Sequence, residues 1–350
     1  MAFDWPQMQR AVEQTSSSHH GVGRLRRMAH LTWPDVLSLP PAIYILTFHS
    51  VVDPGDCEPW EMAYDKGAVT VETLTKHLEF LSRHTTPIAL SKAITLKSGD
   101  IDRPYLALTF DDGYRNALTN AAPVVHRLGH CPTLFVNGGF AEGIVYYRVL
   151  AALLTKQGHA PVLASELRRR VTSVSWSADP ATLFHQTKDE YTKPGMIEEA
   201  TEIAFGRVLG NPSELHVHLQ TQEVSTLTAL GWEIGNHTYR HHVLDSLAKD
   251  VVAGSIERNE AYWKSQGFSL LPCLAFPNGA AKHVGIGIKA YLDERQDLHG
   301  MFCNGGVNLV SSRTEWLRIP VSNMSVGNLA SRLATELHAS RRALEVLGGA

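Results

Sequence analysis

The chain has 350 residues, of which 44% are hydrophobic and 19% are charged, and its formal net charge is -3. These proportions are ordinary for a soluble globular enzyme with a sizeable core, and they exclude a largely disordered chain. The small net charge gives no electrostatic reason to expect nucleic acid or an anionic membrane as a partner. A neutral or mildly cationic substrate is therefore the expectation from composition.

The positions of the cysteines and the lengths of the apolar segments help to identify the class of protein. The four cysteines, at 57, 131, 273 and 303, show no paired spacing, which disfavours a zinc knot or a disulfide framework and indicates buried thiols. No segment has the roughly 18 uninterrupted apolar residues of a membrane span, and the first residues contain no apolar secretion-signal stretch. We therefore expect a cytoplasmic location and no transmembrane segment.

Residues 1–42 are polar at their start and predict a loosely ordered N-terminal arm. After them, apolar runs of strand length alternate with segments of helical period, which is typical of an α/β fold whose strands are joined by crossover helices. The predicted strands lie at 43–48, 105–110, 131–137, 232–236, 270–276, 299–304 and 316–321. One large domain, residues 43–350, is the prediction.

Three helical regions complete the prediction. The first places Val71, Leu74, Leu78 and Leu81 on one face. Residues 141–218 interrupt the alternation with several helical segments and no convincing strand, which indicates an inserted cap. Residues 325–347 predict a closing amphipathic helix with basic residues on its outer face.

The run Leu108–Tyr114 ends an apolar strand in two consecutive carboxylates, Asp111 and Asp112, followed by Gly113. Adjacent strand residues point to opposite sides, so the two acids can serve one site only if the turn re-aims one of them. Helix capping is the alternative for an Asp before a helix. However, only one of the two acids can be the N-cap.

The second cluster is His237 and His241, four residues apart, with His242 beside them. On a helical turn this spacing puts the first two imidazoles on one face, within reach of one metal ion. His242 would lie about 140° round the helix from His237. A coincidence of surface histidines is the alternative.

Two further strand ends carry polar residues. Pro277, Asn278 and Gly279 follow the run at 270–276, although this tripeptide also predicts an ordinary turn. His49 follows the first strand, where a buried core histidine is the alternative to a catalytic one. Strands of an α/β barrel present their ends on one catalytic face, so the combination predicts a hydrolytic site. One carboxylate and two histidines would leave a metal with open positions for water and substrate.

These residues resemble the motifs of the polysaccharide deacetylase family, also called the NodB-homology domain or carbohydrate esterase family 4. Residues 109–113 (TFDDG) are similar to its first motif, and residues 237–241 to its second, H-(S/T)-x-x-H. The resemblance runs from about residue 43 to 321, apart from the insert, and implies a distorted (β/α)7-type barrel. It also implies that Asp111 is the general base, and that Asp112, His237 and His241 bind one divalent metal ion, for which Zn2+ is the expectation and Co2+ or Ni2+ are the alternatives.

The sequence also departs from the family pattern. The third family motif often reads R-x-P-Y-G, whereas the matching stretch here is Ala275–Gly279, so the arginine that orients the base in many members is absent from it. The pattern is nearer to the branch similar to poly-β-1,6-N-acetylglucosamine deacetylases, whose catalytic histidine lies in an N-terminal strand, which implies His49. Trp316 and Arg318 are candidates for shaping the pocket and orienting a catalytic group.

The expected function is removal of N-acetyl groups from an amino-sugar glycan, with His49 as the acid and a backbone N–H near Asn278 as an oxyanion donor. Tyr114 and Gly279 are further candidates for contacts to substrate. O-deacetylation, or hydrolysis of a non-sugar amide, is the alternative within hydrolysis. An inactive carbohydrate-binding module would predict a missing metal ligand, and none is missing. The substrate is expected to be an oligosaccharide, polysaccharide or glycolipid precursor.

Overall fold

The computed structural model describes residues 39–64, 67–188, 194–245, 247–309 and 315–346. Residues 1–38 of the predicted arm lie outside these ranges. The first strand begins at Ala42, within one residue of the predicted start of the domain.

Parallel strands form the centre of the fold. They are β1 (Ala42–Phe48), β2 (Val51–Val52), β3 (Val69–Thr70), β4 (Thr86–Pro87), β5 (Pro104–Phe110), β6 (Thr133–Val136), β7 (Glu233–Asn236), β8 (Cys273–Ala275), β9 (His299–Phe302), β10 (Glu315–Leu317) and β11 (Ile319–Pro320). The main sheet has the order β10-β9-β8-β7-β6-β5-β1-β11, with β4 beside β5, while β2 and β3 pair separately. All these pairs are parallel.

One short segment closes this sheet into a barrel. Only Arg318 separates β10 from β11, yet β10 pairs with β9 and β11 pairs with β1, at opposite edges of the sheet. The segment 315–320 therefore occupies the seventh strand position of the barrel, in addition to β1, β5, β6, β7, β8 and β9. This arrangement confirms the predicted (β/α)7-type barrel, while the single predicted strand at 316–321 is divided between two neighbours.

Asn308, which is 0% exposed, fastens the closing segment. Its side-chain amide donates to the carbonyl oxygens of Ile43 (3.2 Å) and Leu317 (2.9 Å), and its side-chain oxygen accepts from the Leu317 N–H (3.0 Å). These bonds join the first strand of the barrel, β1, to its closing segment, 315–320.

Helices surround the barrel. They are α1 (Pro59–Ala63), α2 (Val71–Ser82), α3 (Leu90–Ala93), α4 (Ala122–Arg127), α5 (Gly138–Ala141), α6 (Tyr147–Lys156), α7 (Ala160–Arg170), α8 (Pro180–Gln186), α9 (Pro194–Val208), α10 (Thr221–Ala229), α11 (Lys249–Ser265), α12 (Ile286–Glu294) and α13 (Val326–Val346). Shorter helical turns lie at 98–100, 117–121, 212–215 and 281–283. Helix α2 buries Leu74, Leu78 and Leu81 as predicted, and α13 occupies the predicted closing position.

The strands are buried on both sides, which explains why they occur as continuous apolar runs. In β1, Ile43 and Ile45 pack in one cluster with Trp316, while Leu46 and Phe48 pack in the cluster that includes helix α2. Successive strand residues therefore contribute alternately to the barrel interior and to the helix layer.

The segment 141–218 forms a separate helical layer between β6 and β7. Helices α6 to α9 bury Leu150, Leu163, Leu183 and Ile197 in a common core. Within residues 141–188 and 194–218 there is no strand, and only His218 makes an isolated bridge, to Tyr114. The helix-rich character predicted for this segment is therefore correct.

The cysteine prediction was only partly correct. Cys273 is buried, but Cys131 is exposed, and Cys57 and Cys303 are half-buried; all four are free thiols. Across the described ranges, no helix combines the length and apolarity needed to cross a bilayer.

Candidate active site

The predicted polar residues meet where the barrel strands end. His49 follows β1, Asp111 and Asp112 follow β5, and His237 follows β7. Because these strands are parallel, their carboxyl ends lie on one face of the barrel. A cavity of about 320 Å3 opens there, and its wall includes His49, Asp111, Asp112, His237, His241 and Asn278.

Asp112, His237 and His241 converge on one point. One carboxylate oxygen of Asp112, Oδ1, lies 3.1 Å from Nε2 of each histidine, and all three side chains are at most 6% exposed. The other ring nitrogen of His237, Nδ1, lies 2.8 Å from the Ala275 carbonyl. A carbonyl can only accept, so this nitrogen carries a proton, and when the ring is neutral Nε2 presents its lone pair to the carboxylate.

A lone pair facing a carboxylate at this distance is stable only if a proton or a cation lies between them. Two imidazole nitrogens and one carboxylate oxygen, with their ligand atoms within 4.8 Å of one another, are donors that suit a divalent transition metal. The residues therefore fit the group that the sequence predicts. Burial would raise the pKa of Asp112, but the two histidines outweigh it and hold the pKa well below its ordinary value.

The loop that carries the two histidines is not helical, so the predicted helical turn is wrong. Thr238 and His241 have φ of 64° and 57°, in the left-handed region. Side chains replace the helical hydrogen bonds: Asn236 accepts from the Thr238 N–H, and the Thr238 hydroxyl accepts from the His241 N–H. His242 points elsewhere, as predicted, with Nε2 at 3.1 Å from Glu198.

Asp111 has a different partner from Asp112. Both its oxygens accept from Arg318, at 2.7 and 2.9 Å, and Arg318 is fully buried. Burial would raise the pKa of Asp111, but the charge of Arg318 outweighs this and lowers the pKa below its ordinary value. Asp112 and Gly113 adopt φ of 68° and 58°, so the turn separates the two carboxylates as the glycine suggested.

The other predicted residues divide into two groups. His49 and Asn278 line the cavity, and Nδ1 of His49 is buried with no hydrogen-bond partner among the described residues. Gly279 lies behind the wall, where its carbonyl accepts from the Cys303 N–H. Tyr114 and Trp316 also lie behind it. Both are buried, and Trp316 packs in the barrel interior with its indole N–H 3.3 Å from His299, so the structure does not place it in the pocket.

His218 contacts the turn that carries Asp112, and no sequence pattern indicated it. Its Nδ1 donates to the Asp112 carbonyl (3.0 Å), its Nε2 accepts from the Tyr146 N–H (3.2 Å), and its ring stacks on Tyr114 and Phe140. Burial lowers the pKa of His218 to about 4. The neutral ring therefore ties the start of the helical layer to the turn that holds Asp112.

The cavity wall also contains residues outside the predicted motifs. Among them are Tyr64, Tyr146, Arg148 and Lys188. Arg148 is only 3% exposed, and its Nη1 donates to the Phe184 carbonyl and to the Thr187 hydroxyl (2.6 Å). A single arginine at the start of a helical segment has no distinguishing sequence pattern.

Comparisons with known proteins agree with this geometry. Residues 98–286 match the sequence profile of the polysaccharide deacetylase family. The fold is similar to that of the Streptococcus pyogenes deacetylase PplD in complex with acetate (16% identity, TM-score 0.54), over 84% of this chain and 99% of that one. It is also similar to IcaB from Ammonifex degensii (16% identity, TM-score 0.52), over 85% and 98% of the two chains.

No curated protein matches the sequence significantly. At 16% identity, the two structural likenesses establish the fold. The profile match, in contrast, spans more than half of the 350 residues and includes the DDG turn and both converging histidines. The chain therefore belongs to the polysaccharide deacetylase family.

Proposed function

We propose that the chain is a metal-dependent hydrolase that removes N-acetyl groups from an amino-sugar substrate and releases acetate. The observation that carries this proposal is that two neighbouring carboxylates have different partners. Asp112 faces two histidine nitrogens, whereas Asp111 is held as an anion by Arg318 at the same cavity. A carboxylate bound to a cation is a poor proton acceptor, so the site needs both acids.

Asp112, His237 and His241 are the proposed ligands of one divalent ion. Zn2+ suits two nitrogens and one oxygen best, and Co2+ or Ni2+ accept the same donors. When bound, such an ion activates water and polarises the acetyl carbonyl.

Asp111 is the proposed general base. Each of its oxygens keeps a lone pair beyond the one used by Arg318, so it can take a proton from the attacking water. The water oxygen bonds to the acetyl carbon, the amide C–N bond breaks, and acetate and a free amine leave. The lowered pKa of Asp111 keeps this base ionised at neutral pH.

His49 is the proposed general acid, because an amine leaves only after protonation and His49 lines the cavity. Asn278 and Gly279 have consecutive left-handed φ values of 61° and 57°, which turn the backbone at the cavity wall. A backbone N–H near Asn278 is the proposed donor to the oxyanion, a contact worth about 3 kcal/mol in comparable sites.

The metal assignment is tested by elemental analysis of purified variants. We expect His237→Ala and His241→Ala to lose the metal, because each removes one of three converging donors. His242→Ala is the matched control and should retain it, since its ring contacts Glu198 instead. Equal metal loss in all three variants would refute the assignment.

The catalytic roles are tested by acetate release from N-acetylglucosamine oligomers and from an activated acetate ester. Asp111→Asn should keep the metal and lose nearly all turnover on both substrates. His49→Ala should lose about 10²- to 10⁴-fold on the amide and much less on the ester, because a phenolate leaves without an acid. Equal losses on both would assign His49 a structural role. Wild-type turnover of Asp111→Asn would disprove the mechanism.

A further inference from the structure

Tyr64 brings a phenol into the active-site cavity from outside the motifs at 109–113 and 237–241. It follows helix α1 and lines the cavity together with Tyr146 and Arg148. Its ring lies 6.1 Å from the ring of Tyr146, and the Tyr146 ring lies 4.7 Å from that of His241, measured between ring centroids. Tyr64 is therefore on the side of the cavity where a proposed metal ligand lies.

The hydroxyl group of Tyr64 is held as a hydrogen-bond donor. Burial raises the pKa of Tyr64 to about 12, so the phenol is neutral at neutral pH, and hydrogen bonds with Arg148 and Tyr146 act in the opposite direction. A hydrogen bond lowers the pKa of a phenol when the phenol oxygen accepts that bond. Both neighbours therefore donate to Tyr64, and neither bond uses its hydroxyl proton, which can be donated to a ligand in the cavity.

Arg148 places a positive charge behind this phenol. Its side chain is 3% exposed, and its Nη1 donates to the Phe184 carbonyl and to the Thr187 hydroxyl (2.6 Å). Its guanidinium carbon also lies 4.0 Å from the centre of the Phe184 ring. These partners are neutral, so no carboxylate of the described residues cancels the charge. A cation that donates to a phenol oxygen polarises the phenol and makes its proton a stronger donor to an anion.

We propose that Tyr64 is a catalytic residue that donates a hydrogen bond to the oxyanion formed during deacetylation, and that Arg148 is a positioning residue that acts through Tyr64. The acetyl carbonyl oxygen is the acceptor that this position suits, because a proposed metal ligand lies on the same side of the cavity. The inference rests on the proposed function and adds a second donor to the backbone N–H near Asn278.

The hydrogen bond strengthens as charge develops on the substrate. When the water oxygen bonds to the acetyl carbon, an electron pair of the carbonyl bond moves to its oxygen, which accepts the hydrogen bond from Tyr64. When the C–N bond breaks, this pair returns to the carbonyl bond, and Tyr64 keeps its proton throughout. The contact is therefore stronger in the transition state than in the bound substrate, which is the condition for an effect on kcat.

Tyr64→Phe removes the hydroxyl and keeps the ring. In metal-loaded protein we expect kcat for acetate release from an N-acetylglucosamine oligomer to fall about 10²- to 10³-fold, the usual effect of losing one oxyanion donor, with KM nearly unchanged. Metal content should equal that of the unsubstituted chain. Tyr291→Phe is the matched control, because the hydroxyl of Tyr291 also accepts from an arginine, Arg295 (2.9 Å), but lies outside the cavity wall. Its kcat should not change.

A double variant tests whether Arg148 acts through Tyr64. Arg148→Gln alone should lower kcat, whereas Tyr64→Phe combined with Arg148→Gln should be no slower than Tyr64→Phe, because the hydroxyl that Arg148 polarises is already absent. Losses that simply multiply would show that Arg148 acts independently of Tyr64. If circular dichroism shows that Arg148→Gln does not fold, Arg148→Lys takes its place in the same comparison.

A binding measurement separates contact with the transition state from contact with the substrate. The probe is glucosamine carrying an N-methylphosphonyl group, whose tetrahedral anionic centre imitates the oxyanion. In Tyr64→Phe its dissociation constant should rise by about the factor by which kcat falls. A higher KM with unchanged kcat, or unchanged affinity for the probe, would overturn the inference while leaving the proposed function intact. Absence of acetate release by the unsubstituted chain would refute the proposed function itself.

Discussion

Asp111 and Arg318 form a buried ion pair in which the cation determines when the carboxylate is ionised. Both residues are at most 2% exposed, so removal of Arg318 leaves an uncompensated charge and costs roughly 3–5 kcal/mol of stability. The lowered pKa of Asp111 means that its base form is present above this pKa and is lost as the pH falls through it.

Arg318→Gln is therefore expected to raise the pKa of Asp111, because the main group that opposes the effect of burial is removed. The acidic limb of the kcat/KM profile should move to higher pH, with a lower plateau, in protein whose fold is verified by circular dichroism. Arg318→Lys keeps the charge but not the paired geometry, and its limb should move less. An unchanged limb in Arg318→Gln would show that Arg318 does not control this carboxylate.

At the residue scale, the sequence indicated which polar residues meet at one cavity more reliably than it indicated their local geometry. Asp111, Asp112 and His237 were identifiable because each lies at the end of a strand. The helical turn predicted for His237 and His241 failed because Asn236 and Thr238 provide side-chain hydrogen bonds to a left-handed backbone, which periodicity does not report. His218 was missed because its contacts are made with distant residues and a backbone carbonyl.

Helix α9 supports the loop that presents the second histidine. Glu198, which is 3% exposed, contacts Nη1 of Arg240 and Nε2 of His242, each at 3.1 Å, on both sides of His241. These contacts cross from the helical layer to the barrel. The layer therefore helps to fix a proposed metal ligand as well as the cavity wall.

Glu198→Ala is expected to weaken metal binding by about tenfold, the lower end of the usual effect of a residue that supports metal ligands. The dissociation constant can be measured by competition with a chelator. Glu199→Ala is the matched control, because its exposed neighbouring side chain pairs with Arg170 instead. Equal affinity in the two variants would show that α9 does not position the loop.

At the element scale, strand positions were predictable where hydrophobic burial determines them. The runs at 43–48 and 105–110 match β1 and β5 closely, because strands buried on both faces consist of uninterrupted apolar residues. The division of 316–321 between β10 and β11 was not predictable, since hydrophobicity does not report which edge each half pairs with. The helices of 141–218 were recognised, but their contribution of Arg148 to the cavity depends on tertiary packing.

A buried amide, that of Asn308, supports the closure of the barrel. Asn308 makes three side-chain hydrogen bonds, to Ile43 in β1 and to Leu317 in the closing segment, and alanine would leave these backbone partners unsatisfied. We expect Asn308→Ala to lower the free energy of unfolding by roughly 3 kcal/mol, measured by denaturant titration. Asn328→Ala, an exposed position in α13, should change it by less than about 0.5 kcal/mol. If Asn308→Ala lowered the free energy of unfolding no more than Asn328→Ala does, this amide would not stabilise the closure of the barrel.

The place of Arg318 between β10 and β11 has a consequence for the order in which the enzyme matures. During synthesis, the three proposed metal ligands are all made before residue 242. Arg318, which pairs with the proposed base Asp111, lies in the later segment that joins the two edges of the sheet. Asp111 therefore gains its partner only when the last segment of the barrel has been made and has closed the sheet. We therefore expect chains that end before Arg318 to lack full hydrolytic activity, because their Asp111 has no arginine partner.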